Sequence, residues 1–203
     1  YEMPIDTFKP ALVYKDETGL DVGAISDDKK YIAFQKSGGS QADSDIFLYN
    51  VGTKEMKNIT AHTGDVANNP ETFDINSKYL YYLTDKDSEF RYVARYDVAT
   101  RKSEVVEKAP WDVFYTYFSH NGKYRVTAVN EDARTKIKIY EAATGKVVPL
   151  PQLPNADITG VNIFNGGKGA DIINAGDGDD ILLLQDGGDD TALGRSEERR
   201  VGK

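Results

Sequence analysis

Apolar and polar positions alternate with a period of two along much of the chain. The clearest case is 136–140, Lys-Ile-Lys-Ile-Tyr, with one polar and one apolar face. That period predicts strands half buried in a sheet. Other runs, 31–34 (YIAF), 79–83 (YLYYL) and 124–129 (YRVTAV), lack this alternation. They read as strands buried between layers. Each follows a polar turn, at 26–29, 74–77 and 119–122.

The turns recur in register. A Lys and a Tyr follow each one, at Lys30 and Tyr31, Lys78 and Tyr79, Lys123 and Tyr124. A second anchor is Tyr49, Tyr96 and Tyr140, each with Thr four residues on, at Thr53, Thr100 and Thr144. A base follows at Lys54, Arg101 and Lys146. Spacings are 48 and 45 residues for the first anchor, 47 and 44 for the second. Two anchors moving in step define a repeat of about 45 residues. Strands are predicted at 20–25, 31–36, 45–50 and 54–60; at 71–75, 79–84, 91–97 and 102–107; and at 112–118, 124–130, 135–141 and 146–150. Four strands per unit of this length is a propeller blade. A sandwich of Tyr-rich strands is the alternative, and it needs no such register.

The predicted fold is all-β: an incomplete β-propeller of about three four-stranded blades, with a short C-terminal segment that is β-roll-like or a degenerate fourth blade. The expected divisions are a lead-in at 1–19, the partial propeller at 20–154 (blades about 20–60, 71–107 and 111–150), Gly/Asp-rich repeats at 155–194, and a tail at 195–203. Three blades cannot close a ring, so two blade faces are expected to be wet.

A turn of Ser/Asp, Asn/Gly and Lys, an apolar strand, a strand ending Tyr-Asp and a Thr-Gly-Lys turn together resemble the repeat of TolB-like propellers. The stretches 58–65 (NITAHTGD), 81–85 (YYLTD), 88–90 (SEF) and 95–97 (RYD) resemble one branch more closely, the N-terminal propeller of prolyl oligopeptidase-family serine peptidases. So do 111–113 (WDV), 117–119 (YFS), 121–125 (NGKYR) and 132–134 (DAR). The resemblance runs from 20 to about 163. It implies a domain that sits over an active site and filters peptide or protein substrates by size, the chemistry lying in a following α/β-hydrolase domain. A TolB-like propeller that binds proteins through its loops, without enzymatic activity, is the other reading.

The hydrolase chemistry needs Ser on a sharp elbow, usually G-x-S-x-G, with Asp and His later. This sequence has no such motif, and no catalytic residue is expected in it. Its two histidines, His62 and His120, fall in predicted turns, where a solvated or backbone-bonded imidazole is expected rather than a base. Paired carboxylates can do acid–base work at a fixed separation. Asp85, Asp87 and Glu89, and likewise Glu131 and Asp132, flank strand ends, where acids are expected to be solvated.

From 157 the text changes to frames of nine. Frame position four is Gly160, Gly169, Gly178 and Gly187; position six is Asn162, Asp171, Asp180 and Asp189. Position eight is Phe164, Ile173, Leu182 and Thr191. The frames resemble the RTX nonapeptide G-G-x-G-x-D-x-U-x, a parallel β-roll built around Ca²⁺. Gly permits the tight left-handed turn, and Asp supplies the hard oxygen that Ca²⁺ takes in sets of six to eight. The resemblance implies metal ligands among Asp171, Asp180, Asp189, Gly167, Gly169, Gly176, Asp177, Gly178 and Asn162. Alternate frames share a side, which pairs Asp171 with Asp189, and Asn162 with Asp180. Weak calcium binding, and a secreted RTX-like protein, follow as a third reading. The fourth-blade alternative stays open, because 45 is five times nine and Lys168 lies where the next Lys anchor would fall.

Charge sharpens this picture. The net charge is −8, and 155–194 alone carries −7, against −3 for 1–154 and +2 for the last nine residues. Acidity so placed argues against nucleic acid as a partner of that segment. With no Cys, disulfides, thiolate metal sites and cysteine nucleophiles are excluded. No apolar run approaches the roughly 20 residues of a membrane span. The chain begins at Tyr1 and shows no signal sequence; both ends read as cut, and 195–203 resembles a translated sequencing adapter, set apart from the fold. The resemblances imply a periplasmic or secreted location.

Overall fold

The computed structural model describes residues 1–40 and 42–150, Val161, Ile163, and the backbone of four strands beyond. The fold is all-β, with no helix among the described residues. Two compact units divide the chain, Tyr1–Pro110 and Trp111–Lys203.

The first unit holds two four-stranded antiparallel meanders. One is β1 (Asp21–Ile25), β2 (Tyr31–Ser40), β3 (Asp43–Asn50) and β4 (Met56–Asn58). The other is β5 (Asn68–Phe73), β6 (Tyr79–Thr84), β7 (Tyr92–Asp97) and β8 (Lys102–Glu107). Equivalent strands fall at the spacing the anchors set, and these are propeller blades. The two blades share one core: Ala24, Ala33, Ile46 and Leu48 from the first meet Phe73, Leu80, Tyr82, Tyr92, Ala94 and Tyr96 from the second. The backbones approach closely at one point. A Cβ on Gly23 would lie 2.3 Å from Cγ of Pro70, so only glycine fits there.

The opposite face of the first blade is not left bare. Residues 1–20 lie over it. The Tyr14 ring packs on Phe34 and Tyr49, with centroids 5.1 and 4.9 Å apart, and Lys29 bonds Glu2 at 2.7 Å. A cavity of about 390 Å³ remains beneath, lined by Leu20, Val22, Ile25 and Ile32 among others.

The second unit begins with a third meander, β9 (Val113–Phe118), β10 (Tyr124–Glu131) and β11 (Arg134–Glu141). On β11 the alternation read from sequence is realised: Thr135, Ile137 and Ile139 are buried, Arg134, Lys136 and Lys138 exposed. The fourth strand expected at 146–150 is reduced to a bridge between Tyr140 and Val147. Val148, Val161 and the partly buried Ile163 complete the core under Tyr124, Val126 and Ile139. The Tyr117 hydroxyl donates to the Val161 carbonyl. Burial, together with the neighbouring Tyr115, pushes that phenol up to about 12.

Four short strands follow: β12 (Ile172–Asp177), β13 (Ile181–Leu183), β14 (Thr191–Arg195) and β15 (Arg199–Val201). They pair alternately, β12 with β14 and β13 with β15, and both pairs are parallel. A fourth blade would pair neighbouring strands antiparallel. The residues set aside as a tail supply Arg195 to the end of β14 and Arg199–Val201 as β15.

Candidate functional site

Turn chemistry accounts for both anchors. In the first blade the Ser26 hydroxyl accepts from the Tyr31 N–H and donates to Asp28, which also accepts from the Lys30 N–H. In the third, Ser119 and Asn121 make the same bonds to Tyr124 and Lys123. In the second, Asp74 accepts from the Tyr79 N–H at 2.6 Å. The recurring position of Lys has its own reason in two blades: Lys78 lies over the Tyr79 ring and Lys123 over Tyr124. Lys30 instead pairs with Asp28. Burial pushes the Asp28 carboxyl up, but the Lys30 ammonium, the Ser26 hydroxyl and the Lys30 amide outweigh it and hold it well below the usual carboxylate range. At the second anchor, Asn50 and Asp97 each accept two turn N–H groups. These residues build blades and are not free for chemistry.

The acid groups weighed from sequence are similarly engaged in part. Asp85 accepts from the Ala67 N–H at 2.9 Å, and Glu131 pairs with Lys136 at 2.5 Å. Asp87 and Glu89 are exposed, as is His120. Among the described residues no group of three or more His, Cys, Asp or Glu is placed to hold a metal. Of the residues proposed as calcium ligands, Gly176 and Asp177 end β12, opposite Gly194 and Arg195. Asn162, Gly167, Gly169, Asp171, Gly178, Asp180 and Asp189 lie outside the described residues.

A polar cluster forms where the first blade passes to the second. The crossover 59–67 folds back against the start of β3. His62 is backbone-bonded, as its turn position implied, through Nδ1 to the Thr60 carbonyl at 2.9 Å. It is not solvated: its side chain is 6% exposed and faces Asp43 at 3.0 Å and Asp45 at 3.2 Å. The Asn58 amide and the Thr60 hydroxyl also donate to Asp45, and Thr60 accepts from the Ile46 N–H at 2.7 Å. Beside them Ser44 and Asn68 exchange three hydrogen bonds, and the Gln35 amide reaches the Asn68 carbonyl at 3.1 Å. A cavity of about 260 Å³ opens next to this cluster, lined by Thr60, Asn68, Tyr82, Thr84 and Tyr92 among others.

Sequence reasoning missed Asp43 and Asp45. The repeat offers no signal for them. Counted back from the Tyr anchors, the matching positions carry Phe90 and Arg134 for Asp43, and Tyr92 and Lys136 for Asp45.

No family model matches the chain, and no curated protein does. Solved structures match its fold. TolB from Acinetobacter baumannii superposes with a TM-score of 0.55 at 18% identity, over 71% of this chain and 35% of that one. A prolyl endopeptidase gives 0.52 at 20%, over 64% and 19%. A puromycin-hydrolyzing peptidase of Mycobacterium tuberculosis gives 0.56 at 10%, over 71% and 23%. The shared fold is that of propeller blades. This chain spans about a third of that TolB structure and about a fifth of each peptidase.

Proposed function

We propose that this chain is a non-catalytic propeller segment whose role is to admit or hold peptide and protein partners, in the manner of the gating domain of a prolyl oligopeptidase-like serine peptidase. One observation carries the reading: successive meanders repeat the same turns in register, and this fold is shared with TolB and with two peptidases. The engagement of Asp28, Asp74, Asp97 and Ser119 in turn bonds supports a structural use of the polar residues. The purified chain is expected to leave a chromogenic prolyl peptide uncleaved. Turnover that survives repurification would overthrow the non-catalytic reading. Reading the gene beyond this segment separates the two branches. A downstream G-x-S-x-G with a late His marks the peptidase; a gene of blades alone marks a TolB-like binding protein.

A second property has its own support. A nonapeptide roll needs parallel pairing at a separation of 18 residues. β13 pairs with β15 at that separation, as in Ile181 with Arg199, and β12 with β14 at 18 for Gly176 and Asp177 but at 19 from Ile172 to Asn174. The donor set of carboxylates and glycine carbonyls is all oxygen and suits Ca²⁺, and the frame count alone pairs Asp171 with Asp189, and Asn162 with Asp180. Calorimetry on the full chain is expected to show calcium uptake in the sub-millimolar to millimolar range of extracellular modules. Asp171→Asn with Asp189→Asn is expected to abolish it. Absence of calcium-dependent heat, and of any change in circular dichroism, rules this property out.

A further inference from the structure

We propose that His62 is a doubly protonated latch: as an imidazolium held by Asp43, Asp45 and the Thr60 carbonyl, it fastens the crossover between the first two blades to β3 and releases it on losing a proton. The argument starts from donors and acceptors. Nε2 lies 3.0 Å from Oδ1 of Asp43. Nδ1 lies 2.9 Å from the Thr60 carbonyl and 3.2 Å from Oδ1 of Asp45. Carbonyl and carboxylate oxygens only accept, so both ring nitrogens must donate. A neutral imidazole has one N–H, and its other nitrogen would turn a lone pair toward an acceptor. With the side chain 6% exposed, little water can relieve that mismatch.

The neighbouring carboxylates reinforce the imidazolium. From β3 come Asp43 and Asp45. From β2, Lys36 stands opposite Asp45 in the ladder, with its ammonium 6.0 Å from the centre of the Phe47 ring. From β4 comes the neutral Asn58 amide, which donates to Asp45 at 2.8 Å. Within the crossover Asp65 is exposed, and at its far end Ala67 donates to Asp85. The Thr60 carbonyl raises the imidazole above its ordinary value; burial opposes this, and Asp43 and Asp45 add to the rise. A group raised in this way stabilises the fold fully below its unfolded value of about 6.5. That stabilisation is lost as pH climbs through the folded midpoint. The latch therefore holds in mild acid and opens toward alkaline pH. It secures the same crossover that carries Asn68 to Ser44.

Long-range proton–nitrogen correlation of the imidazoles in the ¹⁵N-labelled full chain tests this from pH 5.5 to 9, with His120→Gln assigning the two histidines. Both nitrogens of His62 are expected to be protonated at pH 7.5, where an ordinary imidazole is about nine-tenths neutral. Asp43→Asn is expected to move the midpoint down. The wild-type melting temperature is expected to fall from pH 6 to pH 9 by more than that of His62→Gln. A single neutral tautomer at pH 7.5 overturns the latch, since the proton then resides elsewhere in the cluster. So does a midpoint that Asp43→Asn leaves in place. The first measurement uses the unaltered sequence, so a variant that fails to fold does not decide the matter.

Discussion

Six turn residues sit in the left-handed region at matching places in the three blades. Lys29, Ser77 and Gly122 precede the Lys anchor, with φ of 57, 55 and 68°. Lys54, Arg101 and Gly145 follow the Thr anchor, with φ of 62, 61 and 69°. A side chain there crowds the following carbonyl, which glycine avoids. A Cβ on Gly145 would meet nothing within 4 Å, so the position isolates backbone strain from packing. Gly145→Ala is expected to cost about 1 kcal/mol, read as a lowered urea midpoint. Acid stability has a marker at the same scale. The depressed Asp28 carboxyl contributes stability above the ordinary carboxylate value, and that contribution is lost as pH falls through its folded value. Asp28→Asn is expected to flatten the acid limb of stability against pH between about 4 and 2, measured by thermal melts.

At the scale of the strand, each blade bends its first strand at the same place. Register slips in β1 between Val22 and Ala24, in β5 between Pro70 and Thr72, and opposite Ala128 and Val129 in β9. A bulge adds twist, and propeller blades are strongly twisted sheets. In the first blade the bulge brings Gly23 against Pro70 of the second. The proline ring is rigid and cannot swing aside. Gly23→Ala is thus expected to destabilise the first unit by about 1–3 kcal/mol, the range for overpacking, in denaturant titration. The strands themselves were legible because their burial has a short period. Ends were less so: β5 begins at Asn68, three residues before the expected 71, because Ser44 pins Asn68 from another blade. The fourth strand of the third meander shrank to one bridge, and Pro149, inside the expected strand, has no N–H to give to a ladder.

For the molecule as a whole, the open face of the first blade is where the sequence expectation changed most. Phe34 and Tyr49 are each only 4% exposed because the lead-in covers them. Removing 1–19 is expected to raise the fluorescence of a hydrophobic dye and to promote self-association in light scattering, as bare apolar faces do. An unchanged profile would show that the covering segment is dispensable.

The sequence by itself determined the blades. Strand period, turn chemistry and a 45-residue register are local signals, each written within a few neighbouring residues such as Ser119, Asn121, Lys123 and Tyr124. It also set out the nine-residue frames, but left open a parallel roll or an antiparallel fourth blade, since 45 is five times nine. The parallel pairing of β12 with β14 joins residues far apart along the chain, so only the tertiary structure decided between them. The same holds for the cluster around His62. Asp43 and Asp45 lie 19 and 17 residues from it in the chain, within no repeat, and meet it because the crossover folds back on β3. Contacts of that kind depend on where the backbone returns, which alternation and turn residues do not encode.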